Sequence, residues 1–175
     1  MVIWKFGRFA PPYAHTITPD ITQSWLTAAR NPAIAAELES IYAACGAAIT
    51  AQGPACWASG RCCNFTKTGH LLYVTGLEAA FAVTRLTSDH PALTRSTIAE
   101  AIAAGGCPFQ IGNTCGVHTI KPLGCRVYFC DKSSQTWQHE LTERLLSDVR
   151  SLHDRHALEY RYGEWRLMLA SLTPT

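Results

Sequence analysis

Seven of the eight cysteines of this chain fall into two knots: Cys56 with the adjacent pair Cys62-Cys63, and then Cys107, Cys115, Cys125 and Cys130. Thiolates gathered in this way ligate soft metals. A structural zinc ion takes four such ligands in a tetrahedron, and a four-iron cluster takes four around a larger cage. Seven thiols exceed either need. They supply one site with spares, two sites, or one polynuclear site with bridging sulfur. Side chains of neighbouring residues diverge in extended backbone, so Cys62 and Cys63 are expected to face different directions. One would serve a first site and the other a second site, a bridging position or the core. The spacing Cys56-x5-Cys62 is wider than a zinc knuckle or the tight run of a bacterial ferredoxin. Cys107-x7-Cys115-x9-Cys125-x4-Cys130 has no zinc-finger cadence either. The pattern says metal without saying which.

Residues around the knots refine the chemistry. Lys121 and Arg126 stand beside the second knot, where cations stabilise thiolate charge and tune a cluster's potential. The plainer reading of these two is a salt bridge to Asp131 or Glu78. His118 and His70 carry imidazoles that suit zinc and iron alike, yet a histidine hydrogen-bonded within a loop is the simpler reading of both. Trp57, Phe109, Tyr128 and Phe129 read as an apolar shell that keeps water from a metal. No glycine-rich phosphate loop, His-Glu-x-x-His helix or nucleophile motif accompanies the thiols.

The segment Cys56-Trp57-Ala58-Ser59-Gly60-Arg61-Cys62-Cys63, then Leu72-Tyr73-Val74-Thr75-Gly76-Leu77-Glu78, Cys107-Pro108-Phe109, Cys115-Gly116-Val117-His118 and Lys121-Pro122-Leu123-Gly124-Cys125-Arg126-Val127-Tyr128 resembles the YkgJ-like CxxCxxCC family. Members of that family are described as zinc- or iron-chelating proteins, and similar cysteine modules occur in flagellin lysine methylases. The resemblance covers Ala55 to Asp131, less than half of the chain. Two residues depart from it. Ser59 stands where the family has the second cysteine of its opening motif, and Lys121 where it has an arginine. Serine is a poor ligand for soft metals. Cys130, just beyond the Cys-Arg-x-Tyr element, is the thiol available to replace it.

These residues need a scaffold, and length and composition bound what it is. With 175 residues and 47% hydrophobic content the chain can bury one apolar core without disulfide staples. Met1 to Thr18 is interrupted by Lys5, Arg8 and Pro11-Pro12 and shows no export signal, so a cytoplasmic protein is expected. Disulfides are then disfavoured, and no Cys-x-x-Cys redox pair is present. The uncharged stretch Ser40 to Gly60 contains Gln52, Gly53, Pro54 and Ser59, which argues against a membrane anchor. Net charge is +2, from 15 Lys and Arg against 13 Asp and Glu, and the basic residues of the C-terminal third alternate with Glu140, Glu143, Glu159 and Glu164. That mixed surface argues against nucleic acid as a partner and leaves a protein partner open.

Periodicity predicts a first helix from Ile21 to Arg30 that stops near Asn31-Pro32. A second carries Ile34, Leu38, Ile41, Tyr42, Cys45 and Ile49 on one stripe and ends at Gln52-Gly53-Pro54. Cys45 is therefore a core residue and not a ligand. Ala55 to Thr68 reads as loop, and Leu71 to Val74 as a brief strand. Thr75 and Glu78 form a capping box for a helix reaching about Leu86, and another helix spans Pro91 to Ala104. Gly105-Gly106 breaks it, and the Gly, Pro and Cys content to Asp131 forbids a long regular element. Trp137, Leu141, Leu145, Val149, Leu152 and His156 form a helical stripe continued by Trp165, Leu169 and Leu172, with His153 and His156 packed or capping.

The expected fold is a mainly α, small single domain spanning 1-175. Flanking helices at 18-52 and 134-172 pack around a loop-rich, metal-organised cysteine segment at about 55-131, with at most a short β element. The expected function is binding an iron–sulfur cluster through Cys56, Cys62, Cys63, Cys107, Cys115, Cys125 and Cys130, supported by Arg126 and Lys121, with an electron-transfer or redox role. Surplus thiols, few histidines and irregular loops suit a cage better than a lone ion. A zinc-binding structural or interaction module is the alternative. An enzyme acting at an open coordination position is a third reading, without an acid–base set to support it.

Overall fold

A computed structural model describes residues 17–54, 60–129 and 135–174. Cys56 and Cys130, together with Trp57, Ser59 and Asp131, lie outside these described residues. The described residues form a mainly helical domain of eight helices with only short strands.

Local chemistry explains where the helices begin and end. Helix α1 (Pro19–Arg30) starts at Thr18, whose hydroxyl accepts a hydrogen bond from the Ile21 amide at 3.4 Å, with Pro19 at a position where no N–H is needed. Asn31 closes α1 and opens α2 (Pro32–Gln52), its side-chain oxygen accepting from the amides of Ala33 and Ile34. Gly53, at φ 59°, ends α2 in the left-handed conformation and donates to the Ile49 carbonyl. By length and composition α2 is apolar enough to cross a membrane. In the fold its buried stripe of Ile34, Ala35, Leu38, Tyr42 and Cys45 faces the protein interior, and Cys45 is fully buried as expected.

The stretch expected as loop before Thr68 is partly helical. A 3₁₀ turn at Arg61–Cys63 leads into the one-turn α3 (Phe65–Thr68), started by the Asn64 side chain accepting from the Lys67 amide. The brief strand is displaced from Leu71–Val74 to β1 (Tyr73–Thr75). The Leu72 carbonyl is instead occupied by the Trp165 amide. The Thr75–Glu78 capping box opens α4 (Gly76–Thr84), which ends short of Leu86 as Arg85 folds over the Phe81 ring and donates to the Ala29 carbonyl.

Helix α5 (Arg95–Ala103) begins at Arg95 and not at Pro91, because Thr94 and Thr97 form a second reciprocal cap. Strands β2 (Gln110–Ile111) and β3 (Thr114–Cys115) make a small hairpin, followed by α6 (Leu123–Val127) and α7 (Gln135–Arg155). His156 falls just past α7, with Nε2 2.8 Å from the Glu37 carboxylate. Strand β4 (Tyr162–Glu164) pairs antiparallel with β1 and leads into α8 (Trp165–Leu172), a pairing that the helical pattern did not announce.

The core joins both ends of the chain. Helix α1 packs on α4, α4 on α8, and α2 on α6 and α7. Trp25 sits fully buried against Gly76, where any Cβ would run into its ring, and its indole N–H donates to the Glu159 carbonyl at 2.8 Å. The cysteine segment is thereby held between two helical walls that meet each other directly.

Candidate metal centre

Two glycines bring the knots together. Gly60 opens the 3₁₀ turn at φ 67°, and its carbonyl accepts from the Cys63 amide at 3.0 Å. Gly105, at φ 71°, lies so close to Thr66 that a Cβ would collide with the threonine hydroxyl. The chain leaving α5 therefore runs alongside the turn. The Gly105 carbonyl accepts from the Thr66 amide at 2.9 Å, and the Cys63 carbonyl accepts from the Cys107 amide at 2.9 Å. These bonds seat Cys107 beside Cys63. The hairpin then pairs Gln110 with Cys115, and Gly116 donates to the Phe109 carbonyl at 2.8 Å, which returns the chain to the same region.

The thiols form one interacting group. The Cys63 side chain interacts with those of Cys107, Cys115 and Cys62, and the Cys62 and Cys63 sulfurs lie 4.0 Å apart. Divergence was expected of neighbours in extended backbone; the tight 3₁₀ turn removes that premise and keeps both sulfurs together. Hydrogen bonding with Cys107 first, then with Cys115 and Cys62, together with burial, pushes the Cys63 thiol up. The Cys62 thiol falls to about 6, first through its hydrogen bonding with Cys63. Cys115 also falls to about 6, first through Cys63, with the Val117 amide and Lys121 acting in the same direction. Cys107 is lowered by Cys63, the Phe109 amide and the Trp165 side chain. Cys125, carried by α6, is held well above the usual thiol range by burial and by the neighbouring Cys107 and Cys115. The anionic form is thus favoured at Cys62, Cys107 and Cys115 and opposed at Cys63.

The supporting residues take distinct places. Lys121 is the cation that favours the anionic forms of Cys62 and Cys115. Arg126 donates to the carbonyls of Lys121 at 2.8 Å and Thr119 at 2.7 Å, and its guanidinium lies 4.1 Å from the centre of the Tyr42 ring. It closes the loop that presents Lys121. Glu78, fully buried, accepts from the Thr75 amide and hydroxyl, from Tyr42 and from the Leu123 amide at 2.8 Å. It thereby ties the start of α6, and so Cys125, to α4 and α2.

His70 bonds to Thr68 at 2.6 Å and stacks on Tyr128 with ring centres 4.7 Å apart. His118 is exposed with Nε2 3.2 Å from Lys121 Nζ, and the nearby lysine charge lowers its pKa. Both histidines therefore have loop partners, as their simpler reading held. Phe109 is fully buried against Trp165, while Tyr128 and Phe129 are half-buried.

Two residues of the site escaped sequence reasoning. Trp165 looked like one more member of a helical stripe, and only the β1–β4 pairing carries it to Cys107. Glu78 was legible as a cap, but nothing local signalled its bond to Leu123. Five of the seven candidate ligands are among the described residues and gather in one region; Cys56 and Cys130 lie outside them. Among the described residues no three His, Cys, Asp or Glu side chains stand in a ready-made coordinating arrangement. Compared with models of protein families, with curated proteins and with solved structures, the chain finds no match.

Proposed function

We propose that this chain binds an iron–sulfur cluster through its gathered cysteines and serves in electron transfer or redox sensing. The observation that carries the reading is the meeting of the cysteine-bearing turns: the Cys107 amide donates to the Cys63 carbonyl at 2.9 Å, the Cys62 and Cys63 sulfurs lie 4.0 Å apart, and the hairpin pairs Cys115 with Gln110 in the same region. The donor set fits the group. The thiols share negative charge, and backbone amides of Phe109 and Val117 favour the anionic sulfurs, as cluster thiolates require.

Cys62, Cys63, Cys107, Cys115 and Cys125 would supply the ligands, with Cys56 and Cys130 as further thiols of the same segments. When bound, such a cluster supplies one-electron chemistry at a potential set by charge, hydrogen bonds to sulfur and burial. Lys121 offsets part of the thiolate charge, Arg126 holds the lysine's loop, and Phe109 and Trp165 exclude water from the Cys107 side. The resemblance of residues 55–131 to the YkgJ-like CxxCxxCC family, whose members are described as zinc- or iron-chelating, supports metal binding by these cysteines.

A structural zinc ion is the second reading, favoured by one observation: Cys63 has three thiols, Cys62, Cys107 and Cys115, as its interacting neighbours, and a structural zinc takes four ligands. Anaerobic purification followed by iron, zinc and acid-labile sulfide analysis and a visible spectrum separates the two. The expected result is a brown protein that contains iron and sulfide and bleaches with dithionite. A colourless protein with stoichiometric zinc and no sulfide overturns the cluster reading.

A further inference from the structure

Between the β1–β4 ribbon, α6 and α7 lies an open cavity of about 600 Å³ that both Cys62 and Cys125 line. That volume falls in the range of small-molecule sites. Among the described residues lining it there is no aspartate, glutamate, lysine or arginine, and most of the lining is aromatic or aliphatic. Of the six large hydrophobic side chains that the described residues expose, three line this cavity: Leu71, Tyr73 and Tyr162. Apolar side chains exposed singly are ordinary, but a group of them around one concave site marks a binding surface.

Register builds the aromatic lining. In the β1–β4 ribbon Tyr73 pairs with Glu164 and Thr75 with Tyr162, so the two tyrosines are diagonal neighbours on one face, and their rings stack with centres 5.9 Å apart. Val74, between Tyr73 and Thr75, turns to the other face and is fully buried. A second pair, His70 on Tyr128, stacks at 4.7 Å, with His70 also bonded to Thr68 at 2.6 Å. Gly124 lets α6 lie close to β1: a Cβ there would come within 2.7 Å of Leu72 Cδ1 and 3.3 Å of the Tyr73 carbonyl oxygen. That approach carries Cys125, the next residue, into the cavity wall. Rings already held in pairs lose little freedom when a guest binds, and aromatic surfaces add stacking to the apolar area they bury. An ionic ligand would lose its hydration there without a lysine, arginine or carboxylate to replace it.

We infer that this cavity binds a small, uncharged, planar aromatic molecule against its stacked tyrosines, at the wall that carries Cys62 and Cys125. The bound ring lies beside the thiol centre whichever metal that centre holds, so the inference goes beyond the cluster reading and does not depend on it.

The test uses the full-length chain as purified, with iron, zinc and sulfide measured on every sample. Calorimetry follows the titration of 2-naphthol, of its saturated, non-planar counterpart 2-decalol, and of its anionic counterpart naphthalene-2-sulfonate. The expected result is saturable binding of 2-naphthol, at least about threefold tighter than of either counterpart. Tyr162→Ala should weaken it about three- to tenfold, and Tyr162→Phe should preserve it, since the ring and not the hydroxyl forms the wall. Leu167→Ala, which removes an exposed side chain of α8 outside the cavity, should leave it unchanged. Thr142→Phe, which fills part of the cavity from α7, should weaken it at least as much as Tyr162→Ala. The threonine hydroxyl donates to the Gln138 carbonyl of the same helix, so its loss breaks no bond between elements. No saturable binding, equal affinity for either counterpart, or equal weakening by Tyr162→Ala and Leu167→Ala overturns the inference. So does dimerisation that Tyr162→Ala abolishes while no 2-naphthol binds, which would give the tyrosine face to a second copy. Binding of 2-naphthol by a protein without iron and sulfide upholds the cavity while the cluster reading fails, and iron and sulfide without such binding do the reverse.

Discussion

Cys45 and Cys63 have the same side chain and are both buried, yet their surroundings differ completely. Cys45 lies on the α2 stripe among aliphatic neighbours, and burial alone raises its thiol. Cys63 is the sulfur that three other thiols share. Cys63→Ser should therefore drop bound metal by more than about tenfold, because an oxygen donor cannot replace the thiolate that joins the group. Cys45→Ala should leave metal content per chain unchanged and cost about 1–2 kcal/mol of stability, as loss of a small buried apolar group does. Metal and sulfide analysis beside urea unfolding checks both. Equal metal loss in the two variants would place Cys45 in the site. Lys121 and Arg126 show the same dependence on surroundings: one acts on the thiols by charge, while the other acts by holding a loop.

At the scale of elements, the decisive contact is the one between the turn at Arg61–Cys63 and the chain leaving α5. Gly105→Ala should destabilise the fold by about 1–3 kcal/mol, since the new methyl meets Thr66 and the backbone sits at a positive φ. It should also lower metal retention, because Cys107 is seated by the adjoining bond to Cys63. Thr66→Ala in the same chain should recover part of the loss by removing the clashing hydroxyl, leaving the backbone strain. A thermal melt and metal analysis of the single and double variants read this out; full stability in Gly105→Ala would show that the turn and the α5 exit are not coupled.

Helices α1 and α2 were readable because caps and periodicity are local: Thr18, Asn31 and Gly53 announce ends that hydrogen bonds then fulfil. The convergence of the thiol segments was readable only as chemistry, from residue type and count. What joins them could not be read, since the pairing of β1 with β4 and the reach of Glu78 to Leu123 depend on partners far away in sequence. The breaker role of Gly105-Gly106 was visible, but its close approach to Thr66 was not.

The molecule as a whole closes by packing its C-terminal helices over the N-terminal pair, and His153 lies at that closure. It is fully buried at the end of α7, and among the described residues neither ring nitrogen finds a hydrogen-bond partner. Tyr160 meets its ring edge-on at 5.1 Å. The Leu158 and Glu159 carbonyls and Asp154 favour its protonated form and Arg150 opposes it, but burial outweighs them and lowers its pKa. The folded state therefore holds a neutral imidazole, whereas the unfolded chain takes up a proton near the ordinary value of about 6.5. The unfolded state binds more protons between those two values, so stability is fully present above about pH 6.5 and is lost as pH falls below it. The slope is at most about 1.4 kcal/mol per pH unit. Two carboxylates titrate in other senses. Glu37, lowered by Arg155 and His156, costs stability only as pH falls through its own lower range. Glu78, raised by burial, makes the fold less stable as pH rises above about 4.5. The contribution of His153 is thus isolated by difference. In His153→Leu, which keeps a buried apolar side chain at the closure, the drop in unfolding free energy between about pH 7.5 and pH 5.5 should be smaller than in the parent protein, measured by urea titration at each pH. An identical drop in both proteins would mean that the closure between α7 and the 158–162 segment tolerates a charged imidazole.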